Sequence, residues 1–361
     1  MRNTKTTPRG RFLRPETRTA LLLVYLCALV CLLLCLCLDA CSPGAKAGPA
    51  LRTKAGREAG CCLRLVSWNV QTFFDAERAG TEYKEFASPK NWGEQAYRTR
   101  LKRLCESLAL LRADVLVLQE IENEAVLHDI GNFLCMQQLP GRRYRWAAFA
   151  REEGAALGCA VLSRWPLEAL SCHGIDVRSP QAAKPGLRPL LQVRVVKKGR
   201  SCTILVNHWK SMSGGREVCE YWQGAQEALL ASCLKNLHGL PAVACGDFNR
   251  DIGEFCREHG GSGEHAGGRI VLRTGAGEAI AVRSPWFLPD GTLASPGSYY
   301  YKESWSRIDG FLYTGTLTLQ DFRPETEGPW CYDDTKIPRK YQPWNGRGYA
   351  DHLPLSCTIV F

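Results

Sequence analysis

Three things are scarce in this chain, and each scarcity narrows what it can be. No two of its eighteen cysteines are separated by two residues, so the chain lacks the Cys-x-x-Cys half-sites of a structural zinc centre. It has no internal repeat, which excludes solenoid and propeller architectures. Beyond the first sixty residues it has little net charge. Residues 1–60 carry ten Lys/Arg against three Asp/Glu, which is seven of the total +10 and leaves about +3 for the rest. A body this close to neutral gives no electrostatic reason to prefer nucleic acid over another partner.

What the N-terminus does have is a targeting pattern. Six basic residues precede an uncharged apolar run at 20–38, followed by Asp39-Ala40-Cys41. Basic flank, apolar stretch and small residue are the parts of a secretory signal. Leu38, Ala40 and Cys41 are similar to the lipobox of bacterial lipoproteins, with Asp39 an unusual neighbour, and the run is also long enough for a membrane anchor. Residues 1–40 are expected to be a signal peptide or membrane anchor. Residues 41–60, rich in Gly, Ala, Pro and Lys/Arg, are expected to be a flexible linker. Lipidation, anchoring and secretion all put the remainder outside the cytoplasm, at a bacterial cell envelope or in the medium. Thirteen cysteines follow residue 41, an odd number. Cys159, Cys202, Cys245 and Cys357 lie in apolar runs, where a free thiol serves as a small hydrophobe. Oxidation of some of the thirteen stays open for an exported protein.

From Cys61 on there is no further composition break, so residues 61–361 read as one domain. Periodicity predicts strands at 63–68, 114–119, 143–149, 158–163, 188–196, 202–207 and 242–246, with closing strands at 307–313 and 354–360. Helices are expected at about 93–112, 124–138 and 216–238. In the first, Leu101, Leu104, Cys105, Leu108 and Leu111 share one face. The Gly-rich stretch 253–298 reads as long loops with a short strand or two. Strands outnumber helices and come partly in succession. That argues for an α+β fold with two packed sheets and helices outside, not for one doubly wound sheet.

Six polar clusters punctuate this pattern: Ser67-Trp68-Asn69, Leu118-Gln119-Glu120, Asn207-His208, Gly246-Asp247-Phe248-Asn249, Arg307-Ile308-Asp309 and Asp351-His352. Most end or follow a strand, where side-by-side strands can focus their polar ends on one point. Asn69, Glu120 and Asp351 are oxygen donors of the kind that hold Mg²⁺. His208 and His352 are candidate proton carriers near neutral pH, with Asp309 or Asp247 available to orient an imidazole. Asn249 is either a turn residue or an amide donor to a phosphate. Lys210 and Arg307 could touch a phosphate or be plain surface charges.

In this order, the motifs resemble those of the endonuclease/exonuclease/phosphatase superfamily, the group with the deoxyribonuclease-I-like fold. The resemblance covers about 61–361. Phe73-Phe74-Asp75, His208-Trp209-Lys210-Ser211 with Gly214-Gly215, and Ser298-Tyr299-Tyr300-Tyr301 look like its exported bacterial members. It implies a four-layer α/β/β/α sandwich of two mainly antiparallel sheets flanked by helices. It also implies Mg²⁺, with Mn²⁺ or Ca²⁺ as alternatives, held by Asn69, Glu120 and Asp351. His208 would contact the phosphate and assist the leaving group, Asp247 and Asn249 would handle the nucleophile and phosphoryl oxygens, and His352 would pair with Asp309. One departure stands out: many members carry an acid two residues after the first Asn, where this chain has Gln71.

The expected activity is a metal-dependent phosphodiesterase, foremost a nuclease on DNA or RNA. Arg339, Lys340, Tyr341, Trp344, Arg347 and Tyr349 supply rings and charges for bases and phosphates. The same aromatic residues also suit phospholipid headgroups, which makes a sphingomyelinase-like or phosphoinositide-type lipid phosphoesterase the rival. The third reading, from another class, is a catalytically silent surface lipoprotein that binds a partner. No partner protein is identifiable from the sequence.

Overall fold

The computed structural model describes residues 61–88, 90–137, 143–175, 185–256 and 269–361. The expected signal or anchor at 1–40 and linker at 41–60 lie outside the described residues.

Two sheets form the body. β1 (Cys62–Phe73), β2 (Val115–Ile121), β3 (Trp146–Ala150), β4 (Gly158–Ser163), β14 (Thr318–Pro324) and β15 (Leu355–Val360) make a six-stranded sheet in the order β14-β15-β1-β2-β4-β3. β5 (Leu167–His173), β6 (Leu190–Lys197), β7 (Arg200–His208), β8 (Ala242–Asp247), β9 (Arg269–Arg273), β10 (Ala279–Arg283) and β13 (Asp309–Thr314) make a seven-stranded one, ordered β5-β6-β7-β8-β13-β10-β9. β11 (Tyr299–Tyr301) and β12 (Ser304–Ser306) pair as a hairpin. Pairing is antiparallel except at the centres of the two large sheets, where β1 runs parallel to β2 and β7 parallel to β8.

The layers follow from side-chain alternation along the strands. On β1, Leu63 and Leu65 enter a core shared with Val193, Ile204, Val243 and Phe311 of the other sheet. Val66, Trp68 and Val70 enter a second core with α1 (Glu94–Leu111) and α2 (Glu124–Gln137), through Leu104, Leu108, Val126 and Ile130. α3 (Arg216–Asn236) adds Leu230, Ala231 and Leu234 to the cluster built on the seven-stranded sheet. Full burial of each such side chain contributes about 1.5–3 kcal/mol. The result is the expected sandwich of two mainly antiparallel sheets flanked by helices.

Four features depart from the sequence reading. β5 and β14 were not anticipated, and both are outermost strands of their sheets. The β11–β12 hairpin falls at the border of a stretch expected to be loop. β1 also runs past the first motif to Phe73, so Asn69 lies within it and not after it.

Candidate active site

Strand register assembles the site at one end of the sandwich. Asn69 on β1 is level with Gln119 on β2, one residue short of Glu120. On the other sheet, Asp247 is directly opposite His208 of β7 and Asp309 of β13. An isolated bridge between Tyr299 and His352 brings in the last motif. A bulge interrupts the β1–β2 register after Asn69, and Gln71, Thr72 and Glu120 all have positive φ (54°, 45° and 66°). Bulges re-aim side chains, and backbone strain of this kind gathers at functional sites. Here the bulge turns Glu120 toward the other sheet. Gly246 is required between Asn207 and Asp247: its φ is 130°, and a Cβ there would lie 2.0 Å from the Asn207 carbonyl oxygen.

One amide joins the two sheets. Asn69 Nδ2 donates to Glu120 Oε1 at 3.1 Å and to Asp247 Oδ2 at 3.0 Å, while Asn69 Oδ1 accepts from the Gln71 N–H at 3.0 Å. Glu120 Oε2 accepts from the Thr72 N–H at 2.5 Å. His208 Nε2 is 3.8 Å from Glu120 Oε1 and 3.7 Å from Asp247 Oδ2. Asp247 Oδ1 accepts from the Asn249 N–H at 2.8 Å, and the Asn249 side-chain amide donates to the Trp209 carbonyl at 3.0 Å. His352 Nδ1 is 2.7 Å from Asp309 Oδ2, and its Nε2 is 4.0 Å from Asp247 Oδ2. Asp351 accepts from Lys340 Nζ at 3.1 Å. All eight residues singled out in the sequence thus meet at one place.

The two imidazoles are electrically different. Burial, then the charges of Arg188 and His352, hold His208 well below the usual histidine range, so it is neutral. For His352 burial also favours the neutral ring, but Asp309, Asp247 and Asp351 outweigh it and raise the pKa to about 10. Asp247 is pushed up by burial and by the neighbouring Asp309. Neutral His208 beside protonated His352 is a division of labour suited to proton transfer and charge stabilisation.

Glu120, His208, Asp247, Asn249, Asp351 and His352 line a cavity of about 660 Å³. Arg188 and Lys340 are cations in its wall, with Tyr83, Tyr299, Tyr301, Tyr341 and Trp344 as rings. Sequence reading missed Arg188, which sits in the Leu187-Arg188-Pro189 approach to β6 and outside every motif. It instead raised Lys210 and Arg307, whose side chains are spent on local carbonyls: Lys210 on Ser211 and Ser213, Arg307 on Ala294.

The donor set fits a hard divalent cation. Asp351 is balanced by Lys340 and Asp309 by His352, which leaves Glu120 and Asp247 as a carboxylate pair drawn together on one amide nitrogen. Oxygen-rich, anionic surroundings of this sort suit Mg²⁺ or Mn²⁺. Asp247, Asp309 and His352 also place one ligand atom each within 4.8 Å of one another. The 2.7 Å separation of Asp309 and His352 is, however, that of a hydrogen-bonded pair. Asn69 turns its NH₂ toward the carboxylates, so as placed it ties them together.

Gln71, which stands where many superfamily members carry an acid, has a defined position. Its side chain donates to the Tyr341 carbonyl at 3.1 Å and accepts from the Tyr341 N–H at 2.9 Å. An ionised carboxylate there could only accept, whereas the amide does both, and so Gln71 clamps the loop that carries Tyr341 and Trp344 to the cavity rim. Arg100 braces the same turn from beneath, donating to the carbonyls of Val70, Gln71 and Thr72 and lying 3.7 Å from the centre of the Tyr341 ring.

The endonuclease/exonuclease/phosphatase family model matches residues 66–329, well over half of the chain and all but the last motif. The chain belongs to the endonuclease/exonuclease/phosphatase family. It is accordingly a phosphoester hydrolase by family. The fold is that of truncated Caenorhabditis elegans TDP2 (TM-score 0.53, 15% identity, covering 83% of this chain and 98% of that one). It is also that of D. rerio TDP2 complexed with a single-strand DNA product (0.52, 16%, 83% and 99%). A Bacteroides thetaiotaomicron endonuclease/exonuclease/phosphatase family protein matches as well (0.50, 14%, 84% and 98%). No curated protein sequence matches the chain.

Proposed function

We propose that this family member is a divalent-metal-dependent phosphodiesterase, most simply a nuclease cleaving DNA or RNA at a bacterial cell envelope. The observation that carries the reading is Asn69 Nδ2 holding Glu120 and Asp247 together, with His208 Nε2 3.8 and 3.7 Å from the two carboxylates. Phosphodiester hydrolysis needs a group to take the proton of the attacking water and positive charge at the phosphoryl oxygens. Asp247, raised by burial, takes that proton as the water oxygen bonds to phosphorus, with Asn249 fixing the carboxylate through its backbone N–H. His352, kept protonated by Asp309, and Arg188 stabilise the oxygens that gain charge. Neutral His208 donates a hydrogen bond from Nε2 to a phosphoryl oxygen or to the departing ester oxygen, which takes its proton from solvent as its bond to phosphorus breaks. A cation held by Glu120, with Asp247 or Asp351, would supply further charge neutralisation at phosphorus and at the leaving oxygen.

The rings of the cavity wall support nucleic acid, and the fold accommodates it, as D. rerio TDP2 was solved with a single-strand DNA product. The rival substrate is a phospholipid headgroup, for which the exposed Trp344 at the rim is the supporting feature. Among the described residues no helix is long and apolar enough to cross a membrane, so attachment rests on the sequence pattern at 20–38.

The test offers supercoiled plasmid and sphingomyelin or phosphoinositide vesicles in parallel to the full chain, with Mg²⁺, with EDTA, and as His208→Ala. Plasmid cleavage abolished by EDTA and reduced at least about 100-fold by the substitution supports the nuclease. Headgroup release with intact plasmid would replace it by the lipid phosphoesterase.

A further inference from the structure

We propose that Tyr299 and Tyr301 form a stacking platform that makes this site prefer a strand with unpaired bases beside the scissile phosphate. The proposal rests on the nuclease reading and specifies its substrate. Two residues apart on β11, the tyrosines project to the same face of the strand. Their rings are stacked, 6.3 Å apart with 24° between planes. The Tyr299 ring lies in turn 4.8 Å from the imidazole of His352, inclined by 40°. Three planar rings therefore step outward from the catalytic imidazole along the cavity wall, ending at Tyr301, which is 59% exposed.

The row is held in place. Tyr300, on the opposite face of β11, packs edge-on against Trp305 of β12 at 5.1 Å. The hairpin is tied to the last motif by the Tyr299–His352 bridge and by the Leu353 N–H, which donates to the Ser298 carbonyl at 2.7 Å. Platform and imidazole thus share one rigid frame, and a group stacked on the first is registered to the second.

Trp344, 66% exposed, lines the same cavity and also a second one of about 660 Å³ that includes Lys90, Arg103 and Arg347. A chain longer than one nucleotide has an aromatic and basic path to follow there. Base faces inside a duplex are occupied by their neighbours, whereas an unpaired base offers its face to a protein ring. A row of ring faces beside the reacting centre discriminates by this property. An apolar tip inserted into lipid has no use for ring alignment.

The experiment compares kcat/KM for single-stranded oligonucleotides of one length, either base-bearing throughout or abasic at the positions flanking the scissile phosphate. The full chain, Tyr301→Ala and Tyr301→Phe are assayed, with a duplex of the same sequence alongside. The wild type is expected to favour the base-bearing strand over the abasic one by about tenfold or more and to cleave the duplex more slowly. Tyr301→Ala should bring the base-bearing to abasic ratio near one, and Tyr301→Phe should keep it. A misfolded or merely weakened enzyme would lose rate on both strands and leave the ratio unchanged. Cleavage of both strands at equal rates by the wild type would overturn the platform while leaving the nuclease standing. Failure to cleave any nucleic acid, with lipid headgroups released, would remove both.

Discussion

Glu122 sits two residues beyond Glu120 and has a different task. Its Oε2 accepts the Asp75 N–H at 2.6 Å, its Oε1 is buried without a partner, and burial raises its pKa to about 7. A carboxyl more basic in the folded than in the unfolded chain binds its proton more tightly when folded. Stability is then complete below the ordinary carboxylate range and falls as pH climbs toward about 7, because the native state must give up a proton it prefers to keep. Glu122→Gln keeps an acceptor for Asp75 and has no proton to lose. Thermal melts in EDTA should show the variant matching wild type near pH 4.5 and melting higher above pH 7. Equal melting temperatures at both ends of the range would show that Glu122 is ionised in the fold. Single side chains such as this were the least legible part of the sequence. Gln71 reads there as a missing acid, and its amide clamp on Tyr341 depends on a partner 270 residues away.

At the scale of elements, the bulged end of β1 is supported by one helix side chain. Arg100 of α1 is fully buried, donates to three successive carbonyls at 70–72 and lies against the rings of Phe73 and Tyr341. Arg100→Met keeps much of the apolar packing and takes the side-chain donor from the Val70 and Gln71 carbonyls, at about 1–3 kcal/mol for each one that stays buried, while the Thr72 carbonyl keeps the Phe74 N–H. Urea unfolding should lose about 3 kcal/mol or more, and kcat should fall because Glu120 is held through the Thr72 N–H. A variant as stable as wild type would show that the turn stands without the brace. Most elements were readable, since α1 buries one regular face and β2, β7 and β8 are near-continuous apolar runs buried on both sides. β5 was not: in its burial pattern the middle five residues are all exposed, because it borders only β6 and has little apolar alternation to display. β14, the outer strand next to β15, is exposed at four of its seven positions, with Leu319 and Phe322 turned to the core.

At the scale of the whole molecule, most of the described cysteines are packing material. All thirteen described cysteines are free, and eight are buried. Burial pushes the thiols of Cys159, Cys202, Cys245 and Cys357 upward, away from the reactive thiolate. Residue-resolved mass spectrometry after brief native alkylation should find Cys62, Cys172 and Cys256 labelled and those four unmodified until denaturant is added. Native labelling of Cys245 or Cys357 would mean that the inter-sheet core opens more readily than its packing implies.

The amino-acid sequence by itself determined the sandwich and singled out the side chains that the fold brings together. Both are written in local terms: alternation and helical spacing for the layers, and short motifs at strand ends for Asn69, Glu120, His208, Asp247, Asn249, Asp309, Asp351 and His352. Tertiary structure alone decided what those groups do to one another. The positions of Arg188 and Lys340 in the wall, the neutral state of His208 against the charged state of His352, and the row of rings leading to Tyr301 depend on distances between segments far apart in the chain. Electrostatic shifts and ring stacking act over a few ångströms of space, which spacing along a sequence does not encode.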